Sequence, residues 1–204
     1  MSPQGGRRSR PTCSEPKASE GGPLQRLIRL LAALPSYARI AWWGIVSPRR
    51  EHTPLTVHQA VIVGEQGVAL ALRAELRGWE LPGGEALPGE SGEQAVAREV
   101  LEETGVEVRV DGLSGEYLRS GFRPHRARVY RCRALAGAPR PSRETPRVAW
   151  FDPARPPDGL FPWSRAPLAD ALAGAASPPA RAEHQGVATI WAALAIDLRA
   201  RLRG

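Results

Sequence analysis

Residues 84–106 read GEALPGESGEQAVAREVLEETGV, a glycine-rich turn running into a carboxylate-rich helix. Ser91 is suited to cap the first turn, Gln94 three positions on can reach back to the Ser91 backbone, and Gly105 supplies a left-handed stop. The spacing predicts a helix over 91–103. On it Glu99 and Glu103 stand at i and i+4 and share a face, with Glu102 three positions from Glu99. Three negative charges within one turn repel one another unless something positive stands opposite. Arg98 can reach Glu102, and a divalent cation would balance the rest. Ala95, Val96, Val100 and Leu101 form the apolar side, expected to lie on a sheet. Carboxylate oxygens with no His or Cys beside them select Mg²⁺ or Mn²⁺ over zinc. Mg²⁺ keeps several waters and meets substrate phosphates through one or two carboxylates, so an open site for phosphate chemistry is expected. In Pro82-Gly83-Gly84 the missing side chains let a main-chain oxygen join the metal shell.

Upstream, Thr56–Val63, a turn at Glu65–Gly67 and Val68–Leu72 read as a hairpin. Downstream, Val106, Val108 and Val110 alternate, and further strands are expected at Tyr117–Leu118, Ala127–Ala134 and Arg147–Phe151. A Pro-rich connection over 152–162 leads to helical patterns at Leu168–Leu172 and Val187–Leu202. Strands on both sides of one helix, with more helices at the end, favour an α+β fold, an α/β/α sandwich with a mixed sheet, over a doubly wound one. His58 alternates with apolar neighbours and reads as a packed or edge strand residue. Trp150 and Trp163 are assigned to the core. Phe122, Arg123, His125 and Arg126 cluster in what should be a loop over the site. There a ring can stack on a base and guanidinium groups can grip a phosphate, so Phe122, Arg123 and Arg126 are candidate substrate contacts.

The chain has 204 residues, 42% of them hydrophobic, enough for one sizeable core and too few for two full domains. Two cysteines, Cys13 and Cys132, exclude a disulfide scaffold and point to a reducing, cytoplasmic setting. The net charge of +7 is confined to the start: residues 1–50 hold nine Lys and Arg against two Glu, and the remainder carries nineteen of each sign. The division expected is a disordered basic tail over 1–22, a helical and extended N-terminal extension over 23–50, and a catalytic domain with C-terminal helices over 51–204. Within the extension Leu24, Leu27, Ile28, Leu31 and Leu34 recur at helical spacing. Arg26, Arg29, Pro35 and Arg39 interrupt the run to Val46, which falls short of the ~20 apolar residues that span a bilayer. Its apolar segment also starts too late for a secretory signal. Residues 1–50 read first as a solvated basic tail followed by a cover for the core or for the partner in a homodimer; an interfacial membrane element and a basic arm on nucleic acid are the readings not favoured.

The 23 residues from Gly84 to Val106 fit G-x5-E-x7-R-E-U-x-E-E-x-G-U at every specified place, through Gly84, Glu90, Arg98, Glu99, Val100, Glu102, Glu103, Gly105 and Val106. A chance match in a chain of this length is on the order of 10⁻⁷. The stretch resembles the complete signature of the Nudix hydrolases, and Trp79–Gly84 is similar to the family's usual approach to it. The resemblance implies a Nudix-type sandwich and hydrolysis of a nucleoside diphosphate linked to another moiety, a small-molecule nucleotide substrate. It further implies that Glu99, Glu102 and Glu103 hold the metal with the main-chain carbonyl near Gly84. Arg98 would orient the glutamates and Glu90 would act in the outer shell. The carboxylate that takes the proton from water varies in the family; Glu99 and Glu103 lie on the helix, and Glu144, ahead of the last strand, is the later acid nominated. ADP-ribose-like nucleoside diphosphate sugars come first among substrates and nucleoside triphosphates second. Pro124 and Tyr130 match no subgroup spacing. A pocket that senses nucleotides without cleaving them is the competing reading. It is disfavoured because the signature's glutamates are all in place.

Overall fold

The computed structural model describes residues 23–35, 37–38, 41–42, 55–174 and 177–203. The basic tail over 1–22, with Cys13, and the extended part of the N-terminal extension from residue 43 lie outside the described residues. In chain order the elements are α1 (Pro23–Leu31), β1 (Leu55–Gly64), β2 (Gly67–Leu72), β3 (Trp79–Glu80), β4 (Gly83–Glu85), α2 (Gly92–Thr104), β5 (Val106–Gly121), β6 (His125–Gly137), β7 (Arg147–Phe151), α3 (Pro162–Ala173), β8 (Ala180–Gln185) and α4 (Val187–Arg203).

One mixed sheet of eight strands runs β3-β2-β1-β6-β5-β8, with β4 added to β1 and β7 to β2. The β1/β6 and β5/β8 pairs are parallel and the others antiparallel. Because strand side chains alternate between faces, β1 and β6 serve two cores. Val61, Ala127 and Val129 pack with Leu168 and Ala171 of α3 on one face. Ala60, Ile62, Tyr130 and Cys132 pack with Val96 and Val100 of α2 on the other. This is the expected α+β Nudix-type sandwich, with the carboxylate-bearing helix clamped over the sheet centre. Cys132 sits at the bottom of that layer, where burial pushes its thiol up to about 12.

Three expectations change. Val106–Val110 and Tyr117–Leu118 belong to one sixteen-residue strand, β5, because three register shifts against β6 leave Asp111 and Ser114 of β5 and Leu135 of β6 unpaired while the ladder continues. β8, sequence ARAEHQ, has no β-branched residue. It forms as a charged edge strand beside β5, tied by Arg181 to Asp170 at 2.6 Å and by Glu183 to Arg119 at 3.2 Å. Leu101 is exposed instead of facing the sheet, and Thr104 takes the buried position, its hydroxyl donating to the Val100 carbonyl at 2.6 Å. Trp150 and Trp163 are half-buried at the margins of their clusters, Trp163 stacked on Phe161 at 4.5 Å.

α4 closes one end. Its buried Asp197 accepts from Arg201 Nε at 2.8 and 3.0 Å and from the Arg77 backbone N–H at 2.7 Å, and the Tyr37 hydroxyl also donates to it. Arg201 in turn donates to the Glu75 carbonyl at 3.1 Å. The loop between β2 and β3, which carries Arg73 at its start, is therefore pinned by the C-terminal helix.

His58 lies buried in central β1, and among the described residues its Nδ1 and the Tyr130 hydroxyl both lack a hydrogen-bond partner. Gly92, the first residue of α2, fits against them: a Cβ there would stand 2.2 Å from the Tyr130 hydroxyl and 2.7 Å from His58 Nδ1. Alanine gains at most about 1 kcal/mol in helix propensity, while overpacking costs about 1–3 kcal/mol. Gly92→Ala is accordingly expected to lower the thermal midpoint, measured by differential scanning calorimetry.

Candidate active site

The local signals for α2 act as the sequence suggests. The Ser91 hydroxyl accepts from the Gln94 N–H at 3.2 Å, the Gln94 side chain accepts from the Ser91 N–H at 2.8 Å, and Gly105 closes the helix in a left-handed conformation. With both ends fixed and Val96 and Val100 buried, the acidic side has a defined position.

Arg98 organises most of it. Its guanidinium donates to both oxygens of Glu90 at 3.0 Å, to Glu99 Oε1 at 2.8 Å, to Glu102 Oε2 at 3.3 Å and to the Glu85 carbonyl at 3.1 Å. Glu90 also accepts the Leu87 N–H at 2.8 Å. The Arg98 bonds, with that backbone bond, hold the Glu90 carboxyl below its ordinary range, and the Glu90 and Glu99 carboxylates raise Arg98 above its own. Glu103 turns elsewhere. It is buried, with Oε1 accepting from Arg73 Nη1 at 2.7 Å and Oε2 from the Gly83 N–H at 3.0 Å. Arg73 bonds Glu80 on its other side at 3.0 Å.

Burial dominates at Glu103, pushing it up to about 7 despite the opposing pull of Arg73 and the Gly83 N–H. The native state then binds this proton more tightly than the unfolded chain between about 4.5 and 7. The Glu103 contribution to the stability of the metal-free fold should fall as pH rises through that window, by about 3 kcal/mol, against the opposite trend from His58 and His125, whose proton affinity burial lowers. Thermal melts of the parent and Glu103→Gln in chelator at pH 5 and pH 8 read this as the difference between the two proteins.

The three helix carboxylates thus do not converge: Arg98 draws Glu99 and Glu102 one way, Arg73 draws Glu103 another, and Glu102 is largely exposed. Among the described residues no three His, Cys, Asp or Glu side chains form a ready-made cage. The glycine turn brings in a different partner. A Cβ on Gly84 would lie 2.5 Å from Glu99 Oε1, so only glycine lets this carboxylate meet the main chain there. Two carboxylates on one helix face, each against the glycine turn, form a hard oxygen donor set. That set suits a cation which keeps most of its waters and takes substrate phosphate for the rest.

Glu144 is exposed in the loop before β7, and its charge helps raise Arg73. The backbone carbonyl of the same residue accepts the Ala74 N–H at 3.0 Å. Phe122 lines a small apolar cavity with Leu76, Trp163 and Ile190, while Arg123, at φ +53°, and Arg126 are exposed. His125 and Arg126 open strand β6 instead of lying in the loop, and this end of β6 connects to the site through side chains the motif does not contain. His125 contacts Arg119 at 3.1 Å, Arg119 donates to the Trp163 carbonyl at 2.6 Å, and the Trp163 indole N–H donates to Glu80 at 3.3 Å. Glu80 then meets Arg73 and so Glu103. Arg73, Glu80 and Arg119 escape a reading by spacing because Arg73 and Glu80 meet only through the pairing of β2 with β3, and Arg119 of β5 reaches Glu80 only through Trp163 of α3.

Fold, signature and acidic helix define a Nudix hydrolase. The chain belongs to that family: the NUDIX domain model matches residues 53–172. A MutT-like protein of Streptomyces ambofaciens is 42% identical over 116 residues, covering 56% of this chain and 75% of that one. A Bacillus subtilis (strain 168) protein with the provisional name 8-oxo-dGTP diphosphatase is 31% identical over 144 residues, covering 71% and 93%. The crystal structure of a NUDIX hydrolase from Nitrosomonas europaea superposes with a TM-score of 0.59 at 22% identity, over 66% of this chain and 81% of that one, a likeness of fold.

Proposed function

We propose that this hydrolase cleaves the pyrophosphate bond of a nucleoside diphosphate linked to another moiety, with Mg²⁺ or Mn²⁺ as its cofactor. The observation that carries the reading is the meeting of two α2 carboxylates with the glycine turn: Glu99 against Gly84, and Glu103 on the Gly83 N–H. Glu99, Glu103 and the Gly84 carbonyl would hold the ion, with Glu102 supplying a further oxygen from the rim. When bound, the ion supplies charge neutralisation on the phosphate oxygens.

The chain's own groups perform the remaining tasks. Arg98, anchored on Glu90, fixes the rotamer of Glu99, and Glu90 therefore acts one shell out. Glu103, with its proton affinity brought near neutrality, accepts the proton of the attacking water. Glu144, whose charge acts on Arg73 as that of Glu103 does, is the alternative acceptor. Phe122, Arg123 and Arg126 are the proposed contacts to base and phosphate.

A panel of ADP-ribose-like nucleoside diphosphate sugars and nucleoside triphosphates, assayed with Mg²⁺, tests the reading. Release of a nucleoside monophosphate from the first class is expected. A preference for triphosphates is the second reading, favoured by the name of the Bacillus subtilis relative. Glu144→Gln separates the two proton acceptors: a steep fall in kcat with Mn²⁺ affinity unchanged would make Glu144 the acceptor, whereas a kcat close to the parent's leaves that role with Glu103.

A further inference from the structure

Helices α1 and α4 pack on each other at the end of the domain, joined by the Tyr37 bond to Asp197, with Ala33 buried beside it. The apolar side of α1 is not used in that contact. Leu24, Leu27, Ile28 and Leu31 form one stripe at helical spacing, and each is more than half exposed, as are Leu34 and Trp42 beyond the helix. α4 shows the same feature. Val187, Trp191, Leu198 and Leu202 recur at intervals of four and seven, a single stripe, and remain 42–70% exposed. A monomer surface seldom leaves so many large apolar side chains uncovered.

The charge of the chain says what covers them. Residues 1–50 carry the whole net charge, with Arg26 and Arg29 within the α1 sequence and Arg7, Arg8, Arg10 and Lys17 shortly before it, while residues 51–204 are balanced. A second copy seated on this face would bring two arms of net +7 together, and like charge opposes that. Nucleic acid would meet the arginines and leave the leucines and tryptophans in water. A bilayer with anionic headgroups satisfies both halves, since apolar side chains enter the acyl boundary while arginines stay among the phosphates. Tryptophan is also at home at that depth. Among the described residues no helix is long and apolar enough to cross a membrane, so the segment would lie on the surface.

We infer that α1 and the exposed stripe of α4 form an interfacial docking surface for anionic lipid membranes. The contact is reversible, because one short amphipathic segment and a basic arm bind far more weakly than a spanning helix. Neither stripe belongs to the proposed active site, so docking and hydrolysis are separable.

The test is flotation of the full chain with two kinds of vesicle, phosphatidylcholine alone and equal parts phosphatidylcholine and phosphatidylglycerol. Partition onto the mixed vesicles should exceed that onto the neutral ones by at least about 10-fold, and ~0.5 M salt should remove most of the difference. Leu27→Ser with Ile28→Ser leaves the charge unchanged and should cut partition by about 5- to 10-fold. Trp191→Ser checks α4 independently with a smaller loss. Turnover in vesicle-free solution should be the same in all three proteins. Three results would overturn the inference: equal partition onto both vesicles, partition unaffected by the serine variants, or lipid-free dimerisation that the same variants abolish. Binding to an RNA oligonucleotide with no vesicle flotation would overturn it too.

Discussion

Glu103→Gln is expected to lower kcat by about 10²–10⁴-fold, the range associated with losing a positioned proton acceptor, with little change in KM. The substitution is nearly isosteric, and an amide oxygen can still accept the Gly83 N–H that Glu103 Oε2 accepts at 3.0 Å. Arg73 is not left unpaired, because Glu80 stays 3.0 Å away. What disappears is a buried ionisable group whose charged form is disfavoured by burial. Above pH 7 the metal-free variant should therefore be at least as stable as the parent while being far less active. That opposition of signs separates a chemical role from a structural one. Activity and thermal midpoint falling together would assign Glu103 to the fold instead.

Asp197→Ala carries the largest expected loss of stability, about 3–5 kcal/mol. The carboxylate is fully buried and accepts two bonds from Arg201, one from the Arg77 backbone and one from Tyr37. Its removal deprives the Arg201 guanidinium, itself buried, of its carboxylate and leaves it neutral partners, the Glu75 carbonyl at 3.1 Å and the Tyr37 hydroxyl. A midpoint drop of roughly 6–20 °C follows for a chain of this size. The pair Asp197→Leu with Arg201→Met should recover much of it, because a buried ion pair is often replaceable by apolar side chains of similar volume. The same lesion frees the β2–β3 loop, so activity should also fall through Arg73. Charged residues in a C-terminal helix are usually solvated, and nothing in their i, i+4 spacing showed that this pair faces inward.

What the sequence disclosed was local. The α2 helix was readable because its caps, its acidic face and the apolar positions Val96 and Val100 all lie within sixteen residues. The β1–β2 hairpin was readable because two short apolar runs flank the Glu65–Gly67 turn. Leu101 was misplaced because helical periodicity fixes an angle, while the sheet's extent decides which neighbouring angle is covered. Thr104 could take the buried place once its hydroxyl found the Val100 carbonyl. β3 and β4, two and three residues long, are too short to show a period, yet they set Glu80 beside Arg73 and Gly84 beside Glu99. The acidic trio was legible as a cluster along the helix. Its division between Arg98 and Arg73 was not, because Arg73 arrives from another strand.

Glu99 and Glu103, set against the glycine turn, are the proposed holders of a hard divalent cation. Direct Mn²⁺ titration followed by electron paramagnetic resonance tests that assignment without reference to any substrate. One site should be seen in the parent protein at pH 8. Affinity should fall by at least about 10-fold in Glu99→Gln/Glu103→Gln, with the circular dichroism spectrum unchanged. Equal Mn²⁺ affinity in parent and double variant would contradict the account.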